Sequence, residues 1–81
     1  MKNYKLPIEI ESLEEGGYLA ICPILQGCHA EGKTIAEAIE NVEDVARNLF
    51  ELMREDGLAL PKELELAKPG VRLRGEILVP V

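Results

Sequence analysis

From Thr34 to Gly57 the apolar residues hold a single helical face. Ile35, Ile39, Val42, Ala46, Leu49 and Met53 follow one another at intervals of four, three, four, three and four, and Ala38, Val45 and Leu52 widen that stripe on one flank. Both ends are marked. Thr34 with Glu37 three residues later forms the capping-box pattern, in which the hydroxyl accepts from the Glu37 amide and the carboxylate accepts from the Thr34 amide. Gly57 suits the left-handed position past the last turn, with Leu58 placed to pack back on Met53. The spacing predicts a helix over residues 35–56, about six turns. Whatever else the chain forms must cover its one apolar stripe.

The remaining segments read as strands. Tyr4, Leu6, Ile8 and Ile10 alternate with Lys5, Pro7, Glu9 and Glu11, the period of a half-buried strand, with an open side near Pro7, which donates no ladder bond. Glu14-Glu15-Gly16-Gly17 is a turn. Residues 18–24 are apolar at nearly every position and suit a strand covered on both faces, ended or bulged by Pro23. Cys28-His29-Ala30-Glu31 alternates again and closes at Gly32-Lys33. Residues 62–67 fit either a helical turn or a strand, and residues 71–81 alternate as a last strand. The order is β-β-β-α-β in a single domain over residues 1–81. This is an α+β architecture, one small antiparallel or mixed sheet with the long helix on one face.

Composition narrows the function. Nine Lys and Arg against fifteen Asp and Glu give the 81-residue chain a net charge of −6. Residues 34–56 alone hold seven acids and two bases, a net −5. Such a chain is a poor holder of phosphate backbones and a fit partner for a basic protein. The plainer reading of the outer helix face is a solvated surface with Glu43–Arg47 support, and with Glu40, Asp44, Arg47 and Glu51 it is also the candidate partner-binding surface. No run of 18 apolar residues and no apolar signal core occurs, so a cytoplasmic protein is expected.

Enzyme readings find little support. The glycines do not fit phosphate-binding spacings. Cys28 and His29 are neighbours on a strand and point to opposite faces, whereas a nucleophile and its base must converge. Cys22, Cys28 and His29 give three soft ligands where structural zinc wants four. Reduced, packed thiols are expected instead. A magnesium-dependent nuclease built on Glu9, Glu11 and Glu31 is a distant alternative. No catalytic residue, metal or cofactor is assigned. Self-association, at least to a dimer, is expected through sheet surface that the helix leaves uncovered, with Tyr18, Ala20, Cys22 and Leu78 as contact residues.

Taken together, Gly17-Tyr18-x-Ala20-x-Cys22-Pro23-x-Leu25-x-Gly27-Cys28, then Gly32-x-Thr34-x-x-Glu37-Ala38-x-x-Asn41, then Gly57-x-x-Leu60-Pro61 resembles the HicB-type antitoxin domain. The resemblance covers roughly residues 4–63, with Gln26 where the family commonly has proline. It implies a truncated ribonuclease H-like fold without that fold's catalytic carboxylates. It also implies self-association and an antitoxin that masks a small basic HicA-type toxin, an mRNA-cleaving ribonuclease. Many family members continue into a DNA-binding module. This chain ends in the strand at Val81, so operator binding is not expected of it. A stand-alone scaffold or regulatory domain of the same fold is the alternative.

Overall fold

The caps place the helix, and the helix places the sheet. In the computed structural model, which describes residues 4–62, 64–66, 76 and 79, α1 runs Ile35–Glu55. Thr34 is the N-cap, in extended backbone, and its Oγ1 accepts from the Glu37 N–H at 3.0 Å. The Glu37 carboxylate reaches one residue further back than the capping box predicts. It accepts from the Lys33 N–H at 3.1 Å rather than from Thr34, because the chain enters α1 fully extended and brings that amide within reach. At the other end Gly57 sits at φ 70°. Its N–H donates to the Arg54 carbonyl at 3.2 Å and the Leu58 N–H donates to Met53 at 2.8 Å, the two bonds of a Schellman motif. The Leu58 side chain stays 60% exposed, so these backbone bonds rather than apolar packing end the helix.

Strands β2 (Glu9–Ser12), β3 (Tyr18–Ile21) and β4 (His29–Gly32) form an antiparallel sheet in that order. The register sets Glu9 opposite Ile21 and Ile21 opposite His29, with Ala20 between Ile10 and Ala30. The first hairpin closes through Leu13 N–H to Gly17 and Gly16 N–H to Leu13, both 3.0 Å.

Several boundaries differ from the sequence reading. The single strand expected over residues 4–11 is two, broken at Pro7, which lacks an amide hydrogen. β1 (Tyr4–Lys5) pairs antiparallel with β5 (Glu65–Leu66) in a separate ladder. Of the stretch read as either a helical turn or a strand, Glu65–Leu66 is strand, preceded by a turn that the Leu64 N–H closes on the Pro61 carbonyl at 3.1 Å. β3 stops before Cys22 and Pro23. The last strand over residues 71–81, Leu78 included, falls outside the described residues. Glu76 and Val79 are described and exposed.

Coverage of β3 is one-sided. Ala20 is wholly buried, whereas Tyr18, Leu19 and Ile21 are half-buried, and the last two are absent from the residues packed around the core. Among the described residues α1 covers one face only, short of the cover on both faces expected for residues 18–24.

The buried core is built of small side chains: Ala20, Cys22 and Cys28 from the sheet side, Ala38, Val42 and Ala46 from α1, and Leu25. Val45, Leu49, Phe50 and Met53 pack around them, and Tyr4 lies against Phe50 with ring centroids 6.1 Å apart. The buried stripe is thus rotated toward the alanines. Ile39, expected at its centre, is 39% exposed, and Leu52 is 54% exposed. The smallest face of the helix turns inward because the sheet beneath it is equally shallow. The closest approach is at Gly32, where a Cβ would come within 2.7 Å of the Glu37 carbonyl carbon and 2.8 Å of the Ala38 Cα. Asn41 Nδ2 donates to the Glu31 carbonyl at 2.8 Å and ties α1 to β4.

Gly32→Ala must push the helix off the strand, since backbone cannot yield as a flexible side-chain tip can. A loss of about 2–3 kcal/mol is expected, read as a fall in Tm of roughly 10 °C or more. Ile39→Ala, on the exposed flank, should cost under about 1 kcal/mol in the same melt.

Candidate functional site

The acidic helix face is present and partly self-neutralised. Glu40, Asp44, Arg47 and Glu51 are all exposed on α1. Arg47 reaches Asp44 at 2.9 Å and Glu43 at 3.3 Å, so two carboxylates of this face already have a cation. Such exposed pairs contribute about 0.2–1 kcal/mol each. They hold Arg47 along the helix and leave Glu40 and Glu51 without an ion pair among the described residues. The face can attract a basic molecule at a distance, with less charge than its sequence suggests.

The self-association residues divide differently. Ala20 and Cys22 are 0% and 2% exposed, and Tyr18 packs against the same core. These three face α1, so Ala20 and Cys22 are covered by their own chain and are removed from the contact set. Leu78 lies outside the described residues. The residues of β3 that face away from the helix are Leu19 and Ile21. A signal was available. Alanine amid larger residues at position 20 matches the alanines at 38 and 46, and small residues on both elements mark where a helix and a strand approach closely.

The chemistry-bearing residues do not converge. Cys22 and Cys28 lie opposite each other just beyond β3 and β4, the Cys22 N–H donating to the Cys28 carbonyl at 2.8 Å. Both are free and buried, while His29 is exposed. Burial, with help from a hydrogen bond and charge at Cys28, pushes the Cys22 thiol up to about 12. A thiol held neutral in this way is a packing group, not a nucleophile. Glu9 and Glu11 share a face with Glu31, but β3 runs between them. Two strand spacings separate the two sides by about 10 Å, too far for oxygens that must each come within about 2.5 Å of one cation. Among the described residues no group of three or more His, Cys, Asp or Glu is arranged to hold a metal ion. A shallow depression of about 510 Å³ beside the helix start is lined by three glycines, three glutamates, Leu13 and Lys33, and the carboxylate of Glu37 there accepts from the Lys33 amide. No helix among the described residues is long and apolar enough to cross a membrane.

Comparison with known proteins brings the pattern into focus. The chain is 36% identical over 66 residues to a UPF0150 protein of Synechocystis sp., covering 82% of this chain and 84% of that one. It is 32% identical over 68 residues to a UPF0150 protein of Archaeoglobus fulgidus, covering 82% of this chain and 99% of that one. It is also 34% identical over 61 residues to Antitoxin HicB 1 of Photorhabdus laumondii, covering 75% of this chain but 39% of that antitoxin. No family model matches the chain. No solved structure matches it either.

The thiol pair gives a measurable signature of the packed core. Cys22 is neutral in both folded and unfolded chains below the ordinary thiol range. As pH rises past that range the unfolded thiol ionises while the folded one, at about 12, does not. The unfolded state then binds fewer protons, so stability falls with pH. Urea melts should show a loss beginning near pH 9 and continuing toward 12 that is smaller in Cys22→Ala than in the parent chain. Equal alkaline slopes would show that the thiol does not titrate this way.

Proposed function

The chain belongs to the HicB-like UPF0150 family, and from that membership we propose that it is a non-enzymatic, antitoxin-like protein that neutralises a small basic HicA-type toxin by occluding it. The observation that carries this reading is the 61-residue match to Antitoxin HicB 1, which takes in 75% of this chain. Properties of the remaining length of that antitoxin are not carried over. The physical support is charge. A net −6 with most of it on α1 raises the encounter rate with a basic partner and disfavours nucleic acid, so the chain by itself is not assigned DNA binding.

Occlusion asks little of this fold beyond a rigid shape and the right potential. The caps, the Asn41–Glu31 bond and the close contact at Gly32 fix α1 against the sheet. The acidic face is thereby presented in one orientation. In this reading α1 steers the toxin toward the complex, and the burial of toxin surface then keeps RNA out.

Two measurements test the reading. Coexpression with a basic protein of similar size from the neighbouring gene should yield a stable complex and relieve that protein's growth arrest. Recovery of the chain alone, with growth arrest unrelieved, would favour the scaffold alternative. In the complex, Glu40→Lys, Asp44→Lys and Glu51→Lys together should slow association about tenfold at low salt and converge with the parent at high salt. Unchanged association at low salt would remove α1 from the encounter.

A further inference from the structure

The face of the sheet turned away from α1 carries an arrangement that the helix face lacks. The register places Glu9, Ile21 and His29 in one row and Glu11, Leu19 and Glu31 in the next. Residues alternate between faces along a strand, and Ala20 lies under the helix, so these six lie on the other side. Leu19 and Ile21 are half-buried, and the four residues flanking them are exposed. None of the three carboxylates has a hydrogen bond or ion pair among the described residues. This is a central aliphatic pair with unneutralised acids on both sides.

We propose that this sheet face docks a cationic polypeptide segment whose Lys or Arg stems lie over Leu19 and Ile21 and whose charged heads reach Glu9, Glu11 and Glu31. The proposal rests on reading the chain as a binding protein and names where the contact is made. Charge selects the occupant. A second copy of this face would set six carboxylates against one another. Nucleic acid and anionic lipid would be repelled. A single metal ion cannot bridge groups separated by two strand spacings. A cationic segment satisfies both elements, since long basic side chains bury their methylenes while keeping the charge at the rim. An extended segment with a base at every second residue also repeats at about 7 Å, the spacing of Glu9 and Glu11 along β2.

The test uses an octapeptide of alternating Arg and Ser at physiological salt, followed by amide chemical shifts of the full chain. Shifts should concentrate in β2, β3 and β4. Glu9→Gln, Glu11→Gln and Glu31→Gln together should weaken binding about tenfold. The variant Glu14→Gln, Glu55→Gln, Asp56→Asn has the same net charge and should lose less than twofold. Replacing Arg by diaminopropionic acid, which keeps the charge without the stem, should also weaken binding. Shifts centred on α1, equal loss in the two triple variants, or light scattering that shows a dimer closing over Leu19 would each overturn the proposal. An unshifted Ala20 amide in the variants reports that the fold is intact. Peptide binding at this face with no toxin bound would support the surface and remove the antitoxin reading. A toxin held equally well by the sheet variant would remove the surface alone.

Discussion

The contact that the rest of the structure depends on is the one between Gly32 and the first turns of α1. At that point the strand and the helix touch backbone to backbone, with no room for a Cβ. Once they are that close, the neighbouring positions on both elements must also be small, and Ala20, Ala38 and Ala46 are. Cys22 and Cys28 fill the next layer as small apolar groups. The same proximity brings Asn41 over β4, where it satisfies the Glu31 carbonyl of a strand that pairs on one side with β3. A sheet edge that would otherwise offer bare backbone acceptors is blunted by the helix that packs on it.

This explains why some of the fold was legible in the sequence and some was not. The helix was legible to within a residue because its signals are local: Thr34, Glu37 and Gly57 act within one turn of themselves. The run of strands before the helix was legible from the turns between them. The inward face of α1 was legible through Val42, Ala46, Leu49 and Met53, but its edge was not, because periodicity sets Ile39 in the stripe and Ala38 on its flank, whereas packing buries Ala38 and exposes Ile39. Hydrophobicity measures what a residue gains by burial. It does not measure how closely two backbones can approach, and that is a property of the pair. The split of the first strand follows the same rule. Its alternation is real, but Pro7 interrupts the ladder and lets β1 pair with β5 instead.

The candidate site shows the same division. Composition correctly located the negative charge on α1, yet composition cannot see that Arg47 lies against Asp44 and Glu43. Neither can it see that Glu31 joins Glu9 and Glu11, across β3, on one face where none of the three has an ion pair among the described residues. Register, not residue count, decides which carboxylates act together. The assignment of Ala20 and Cys22 to a contact surface failed for a related reason. Alternation separates two faces without saying which one the helix will take.

A chain of 81 residues has a small margin of stability and little interior to spare. Among the described residues the interior brings a helix and three strands into close contact, and its two thiols are buried within it. Among the described residues no polar or charged side chain is buried, so the charged groups all lie at surfaces. The fold offers two that are acidic, on opposite sides of one thin layer, and they differ in kind. The helix face carries internal cations and projects a field. Among the described residues the sheet face has no ion pair and carries Leu19 and Ile21 at its centre. In the proposed reading, long-range attraction and close contact fall to different elements, a partner being drawn by the one and held by the other.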